Sequence, residues 1–248
     1  MPVGNAAEEV GLSGKAYTIL RSGILRGQLP LGATISRRKV AAELGMSLLP
    51  VMEALERLEY EGLVESRARA GTRVRIPSRE DVMGHFVVRE ALECQAARLF
   101  SQKATLKERE ALLKLGIRVD SAWGPDKVRY ADLHQEFHRR LAQYAHCPAL
   151  VRAIEITQAL SFTWLSAVVP RLPVHSLGFR DHQKLAETLL RDHAEACVEK
   201  MREHVMLGFR QIMDGLQPYF KLQRKARERY RRSGREAAVM LQAVSPAP

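Results

Sequence analysis

Apolar positions along the chain follow two different periods, and the change between them outlines the architecture. From Lys15 onward Tyr17, Leu20, Ile24 and Leu25 recur at helical spacing, and Gly27 with Leu29-Pro30-Leu31-Gly32 stops that helix. Ser36 offers an N-cap to a short second helix, Arg37 to Leu44, with Gly45 in the position of a C-terminal cap. Ser47 then caps a third helix, with Pro50 in its first turn, where a missing N–H costs little. Val51, Leu55, Leu58 and Leu63 give this helix and its exit an apolar side. After Gly62 the period drops to near two. The stretch LVESRARAGTRVRIP predicts strands at Leu63–Glu65 and Thr72–Ile76, joined by an arginine-rich turn at Gly71. Helix, helix, tight turn, helix, hairpin is the order of a winged helix-turn-helix.

Pro77 closes this unit, and Ser78 with Asp81 opens a new helix as a capping box, which sets a boundary at about residue 77. From 78 to 220 the period is helical almost throughout. Helices are predicted at 79–102, 106–121, 126–146, 148–168, 177–191 and 193–217, separated by GPD, HCP and the Pro170–Pro173 turn. The predicted fold class is mainly α: a winged helix-turn-helix of three helices and a small β-hairpin, then an all-α bundle. The expected organisation is a flexible leader (1–13), the winged unit (14–77), the helical domain (78–220) and a basic extension with a tail (221–248). No repeat of solenoid period is present.

Composition narrows the function classes. The 248 residues, 46 % of them hydrophobic, suffice for one large or two modest domains. The N-terminus lacks the pattern of an export signal and no run approaches about 18 apolar residues, so a cytoplasmic protein with no membrane partner is expected. Cys94, Cys147 and Cys197 are odd in number and widely spaced, which fits reduced, mostly buried thiols rather than a disulfide framework or thiolate metal site. The formal net charge is +11, but residues 221–235 (KLQRKARERYRRSGR) alone carry +7, against +3 for 1–77 and +2 for 78–220. The charge total therefore does not by itself identify a DNA-binding face.

Two constellations could carry chemistry. Around the wing, Arg67, Arg69, Arg73 and Arg75 cluster near Gly71, with Arg37, Arg38 and Lys39 at the start of the second helix. There they can neutralise phosphates, or simply form a solvated charged surface. The third helix is the exception: from Val40 to Glu56 there is no lysine or arginine. The second constellation is histidine. His134 and His138 in ADLHQEFHRRL lie four residues apart on one helical face, and His182 and His204 fall on later predicted helices that an antiparallel bundle could bring opposite them. They are either a metal site or ordinary hydrogen-bonded histidines. Glu136 follows His134 by two residues rather than one, so the HExxH arrangement of a zinc hydrolase, with its general base beside the metal water, is absent.

Several segments together resemble the FadR-like branch of the GntR transcription regulators, in which a winged helix-turn-helix precedes an all-helical FCD ligand domain. They are GQLPLGATIS, the run from Pro50-Val51 to Glu61-Gly62-Leu63-Val64, the AGTRV wing, VREALECQAARLF, EFHRRLAQYA, DHQKLAETLLRDHAEA and MREHV, spread over residues 14–217. The resemblance implies a homodimeric, metabolite-responsive regulator that binds a palindromic double-stranded operator, with a small organic acid held in the bundle beside a divalent metal. It implies His134, His138, His182 and His204 as metal ligands and Arg89 as an effector-binding residue, although an ion pair with Glu93 would explain Arg89 equally well. Many FCD domains have Asp or Asn where His134 stands; an all-imidazole set favours zinc or nickel over hard cations. The implied DNA-contacting set is Arg37, Arg38, Ser47, Leu48, Leu49, Met52, Arg67, Arg69, Gly71, Thr72 and Arg73. Family members commonly carry arginine at the places of Leu48 and Met52, so guanine readout is lost there, and contacts to thymine methyls or DNA shape take its place. Two competing classes stay open at this point: a metal-dependent enzyme on the helical bundle, and an interaction protein that kept the fold without DNA binding.

Overall fold

A computed structural model of the chain describes residues 11–67, 71–123, 127–168, 181–191, 193–222 and 224. Its first unit is built from α1 (Leu12–Leu25), β1 (Thr34–Ile35), α2 (Arg37–Leu44), α3 (Leu48–Tyr60), β2 (Val64–Arg67) and β3 (Gly71–Val74). Leu20, Ile24, Val51, Leu55, Leu58 and Leu63 are all buried in one core, as the helical spacing requires. Ser36 Oγ accepts from the backbone N–H of Lys39, and Gly45 ends α2 in the left-handed region at φ 62°, which favours glycine. Ser47 occupies the N-cap of α3 without a side-chain hydrogen bond.

The wing differs from the expected hairpin in one respect. A third strand, β1, joins it, giving an antiparallel sheet in the order β1-β3-β2, with Thr34 opposite Arg73 and Val64 opposite Val74. Two residues are too few to produce an alternating pattern, so β1 leaves no periodic signal in the sequence. The turn between β2 and β3, with Arg69, lies outside the described residues.

Six helices follow among the described residues: α4 (Arg79–Lys103), α5 (Leu106–Ser121), α6 (Lys127–Tyr144), α7 (Pro148–Val168), α8 (His182–Arg191) and α9 (Ala194–Gly215). Local chemistry fixes their starts. Ser78 and Asp81 form the capping box of α4, Thr105 and Glu108 that of α5, and His193 Nδ1 caps α9. The expected start of a helix near 177, and most of the basic segment from 221, lie outside the described residues. The three cysteines are free thiols, Cys94 and Cys197 buried and Cys147 half-buried.

The winged unit and the bundle share packing. Leu25 of α1 forms a buried cluster with Ala131 of α6 and with Ala159 and Phe162 of α7. Arg75, just after β3, donates from Nη2 to Asp81 Oδ1 at 2.7 Å. No helix among the described residues is long and apolar enough to cross a membrane.

Candidate functional site

The i, i+4 pair of α6 does meet the two later histidines. His134 and His138 come from α6, His182 is the first residue of α8, and His204 sits mid-way along α9. One ligand atom from each lies within 4.8 Å of the others. His138 Nε2 and His204 Nε2 are 3.2 Å apart. The ligand atoms of a tetrahedral zinc site stand about 3.3 Å apart for bonds of 2.0–2.1 Å. Small ring rotations would therefore close the set on one ion.

Three of the four rings are held from behind by carboxylates. His204 Nδ1 is 2.8 Å from Asp181 Oδ1, His182 Nδ1 is 3.1 Å from Asp120 Oδ1, and His138 Nδ1 is 2.8 Å from Glu93 Oε2. Such outer carboxylates fix which nitrogen of the imidazole is free and raise its basicity toward a metal. Asp120, at the end of α5, also accepts from the backbone N–H groups of His182 and Gln183, so it caps α8 and orients its first side chain together. His182 Nε2, on the inner side, is buried with no hydrogen-bond partner, which an ion would supply. The donor set fits a borderline divalent metal.

Burial favours the neutral, ligating form of three of the rings. It pulls the His138 imidazole down to about 4, with Glu93 opposing the shift, and it lowers His182, where the Asp120 contact opposes it. His134, partly accessible and with no carboxylate behind it among the described residues, is lowered well below the usual histidine range by burial and by the neighbouring rings. Burial would raise the Asp181 and Glu93 carboxyls, but His204 beside the first, and Arg89 and His138 beside the second, hold both ionised.

The cluster forms one wall of a cavity in the middle of the bundle. Arg89 from α4, Gln158, Ser161, Phe162 and Leu165 from α7, and Gly208, Gln211 and Ile212 from α9 complete the lining. The space available to centres of water-sized spheres is about 30 Å³, room for roughly two waters. A Cβ built on Gly208 meets nothing within 4 Å, so the cavity extends over that glycine. Arg89 lines the cavity, and its Nε donates to Glu93 Oε1 at 2.5 Å.

On the winged unit, Leu48, Leu49 and Met52 are exposed on α3 (44 %, 63 % and 36 %), together with Glu53 and Glu56. A concave strip on the same unit is lined by Thr34, Ser36, Arg37, Arg38, Ser66, Arg67, Gly71 and Thr72. The arginines there are not equivalent. Arg37 Nη2 donates to the buried Thr72 Oγ1 at 3.2 Å, and Arg73 is paired with Glu65 at 2.6 Å, with Arg67 near the same carboxylate at 3.5 Å. Arg38 is exposed, and no ion pair or hydrogen bond engages it among the described residues.

Residues 12–74 match the family described as bacterial regulatory proteins, gntR family, and residues 85–207 match the FCD domain. The chain is 30 % identical over 182 residues, 73 % of its own length and 80 % of the other's, to the "Probable D-xylose utilization operon transcriptional repressor" of Paenarthrobacter nicotinovorans. The chain belongs to the gntR family. It is 28 % identical to the HTH-type transcriptional repressor RspR of Escherichia coli (strain K12), over 72 % of this chain and 74 % of that one. The solved E. coli McbR/YncC has the same fold, with a TM-score of 0.70 at 22 % identity, covering 85 % of this chain and 99 % of the other.

This gntR-family protein is thus a DNA-binding transcription regulator with an FCD domain, not an enzyme. GntR regulators bind DNA operators and FCD domains often bind metal. Sequence reasoning named all four histidines and Arg89 but missed Asp120, Asp181, Gln158 and Gln211. Asp181 carried a signal, an acidic residue directly before His182 where a helix begins. Asp120 reaches α8 only through tertiary packing, which leaves no trace in local sequence.

Helix α7 connects the two sites. Gln158, Ser161, Phe162 and Leu165 face the cavity, while the same helix meets the winged unit through the Leu25 contact of Phe162 and Ala159. The backbone of Gly27 lies close to Ser166, and that of Gly62 close to Leu160.

Proposed function

We propose that this regulator is a homodimeric metabolite sensor in which residues 14–77 bind a palindromic operator and residues 78–220 dimerise and hold a small carboxylate effector beside a zinc or nickel ion. The observation that carries the reading is the single cavity lined by four converging imidazoles and Arg89. His134, His138, His182 and His204 would hold the ion, backed by Glu93, Asp120 and Asp181. When bound, a divalent ion that expands beyond the four imidazoles to a fifth ligand would supply a Lewis-acidic anchor for one carboxylate oxygen. Arg89 supplies the second charge, and four neutral imidazoles leave the ion's charge undiminished for an anion.

Phe162 gives the response a path. It lines the cavity and packs on Leu25 of α1, so a ligand that moves it favours one placement of the winged unit over another. In a dimer, that placement sets the separation of two α3 helices, which must match about 34 Å between half-sites. The protein acts in the cytoplasm, where its operator is. On DNA, Arg37, Arg38, Arg67, Arg69 and Arg73 would meet phosphates with Gly71 and Thr72 of the wing, and Ser47, Leu48, Leu49 and Met52 would meet base edges.

The test has two arms. Zinc and nickel competition titrations should show tight binding to the full chain that is lost in a His138→Ala, His182→Ala double variant; equal affinity in both would refute the metal site. Fluorescence anisotropy on DNA from the protein's own upstream region, at two salt concentrations, should show a specific, salt-sensitive complex. Binding no tighter than to unrelated DNA would instead favour an interaction role for the exposed Leu48, Leu49 and Met52.

A further inference from the structure

The positive charge of the chain and its DNA-binding unit do not coincide. Residues 1–77 hold +3 of the net +11, whereas residues 221–235 (KLQRKARERYRRSGR) hold +7, with Glu228 as their one acid. Within the winged unit much of the charge is already balanced. Arg21 and Arg57 stand 3.3 and 3.6 Å from Glu61, Arg67 and Arg73 stand 3.5 and 2.6 Å from Glu65, and Arg75 stands 2.7 Å from Asp81. Helix α3 contributes no lysine or arginine before Arg57. The winged unit therefore brings few uncommitted cations to a partner whose affinity depends on neutralised phosphates.

The fold delivers the rest of the charge to that unit. Beyond α9 the chain continues as a helical stretch over 217–222, with Tyr219 and Phe220 packed on the core. Tyr219 lines a hollow together with Ile24, Gly27, Leu29 and Pro30 of the winged unit and Ser166 of α7. Lys221, Leu222 and Arg224 follow, all exposed. The basic segment thus begins beside the unit that binds DNA. Extended, residues 225–235 reach at most about 36–40 Å, and a unit the size of residues 14–77 is roughly 30 Å across, so its far side is within range. The bundle offers no competing acidic surplus, since residues 78–220 carry +2.

We infer that residues 221–235 are a second DNA-contacting element, which holds the phosphate backbone next to the site bound by the winged unit. This goes beyond the assignment of DNA binding to residues 14–77. Contacts of this kind add affinity and salt dependence without reading sequence. They complement α3, whose exposed Leu48, Leu49 and Met52 cannot pair with phosphates.

Anisotropy titrations of the full chain on an unrelated duplex and on DNA from the protein's own upstream region, between 50 and 200 mM salt, test it. In a variant with Arg227→Gln, Arg229→Gln, Arg231→Gln and Arg232→Gln, the slope of log affinity against log salt should fall by about two to four units. Affinity for both duplexes should drop by the same factor, about tenfold or more, leaving the preference between them unchanged. A second variant, Arg231→Glu with Arg232→Glu, should shift both quantities in the same direction with an unaltered urea midpoint, which keeps the result readable if the fourfold variant fails to fold. Unchanged slopes in both variants, or a loss confined to the upstream DNA, overturns the inference. So does unaltered DNA binding with loss of binding to phosphatidylglycerol vesicles, which would assign the segment to an anionic membrane surface instead.

Discussion

His138 and Glu93 meet across the bundle at 2.8 Å, both only 2 % exposed, with the imidazole N–H turned too far from the carboxylate oxygen for a hydrogen bond. Glu93 serves two partners, because its other oxygen accepts from Arg89 Nε at 2.5 Å. Glu93→Gln should lower zinc affinity about 10–100-fold by loosening the ring that presents Nε2. Arg89→Gln breaks the same buried ion pair but leaves the carboxylate behind His138, so it should destabilise the fold while keeping zinc affinity within about tenfold. Competition titrations with a chromogenic chelator, run beside urea unfolding, separate the two effects.

Gly116 lets α5 approach the start of α8. A Cβ there would lie 2.7 Å from the backbone carbonyl oxygen of His182 and 3.2 Å from the backbone nitrogen of Gln183, neither of which can rotate away. Gly116→Ala should therefore cost about 1–3 kcal/mol and displace a metal ligand, weakening zinc binding as well. Gly84→Ala, on the exposed side of α4 where a Cβ meets nothing within 4 Å, is the control. It should be stabilising by about 0.5–1 kcal/mol with no change in zinc affinity.

Gly208 faces open space within the cavity. Gly208→Leu should fold, since a helical position gains a better helix former, yet leave no room for an effector. Unchanged zinc affinity with loss of carboxylate binding, both by calorimetry, is the expected pair of results.

Most of the fold was legible because its signals are local. The capping box at Ser78 and Asp81, the left-handed Gly45 and the buried stripe from Val51 to Leu63 each follow from residues a few positions apart. The candidate site was legible only in its inner layer. His134 and His138 share a helical face by spacing alone, but the carboxylate that orients His182 comes from Asp120, 62 residues away, and Gln158 reads in sequence like any polar residue on a helix. Only burial without a partner distinguishes it, and burial is a property of the packed bundle.

His85 should make the metal-free protein less stable in acid. Burial, and secondarily Arg89, lower its pKa from the usual 6.5 to about 4, against the opposing pull of Glu93. The unfolded chain therefore binds a proton that the folded chain refuses between those values. Stability from this group is complete above pH 6.5 and is lost as pH falls toward 4. Urea unfolding at pH 7 and pH 4.5 should differ by about 2–3 kcal/mol more in the unmodified chain than in His85→Gln. An identical difference in both proteins would place the acid sensitivity elsewhere.

The DNA face allows the roles of charge and shape to be separated. Arg38 is exposed and unengaged among the described residues, whereas Arg73 is tied to Glu65 at 2.6 Å. Arg38→Ala should therefore weaken binding to specific and unrelated DNA alike and reduce the slope of log affinity against log salt by about one unit. Arg73→Ala should change it less, since part of that charge is already neutralised within the sheet. Leu48→Arg with Met52→Arg works in the opposite direction. Both positions are exposed on α3, so the new guanidinium groups can reach the groove without disturbing the core. The double variant should steepen the salt slope by up to about two units and bind unrelated DNA more tightly. Its preference for the native operator should shrink, because apolar contacts and fit to DNA shape would be displaced by phosphate and guanine contacts. Anisotropy titrations on the operator and on a scrambled duplex at 50 and 200 mM salt would show this; a gain in operator preference would mean that Leu48 and Met52 do not read the native site.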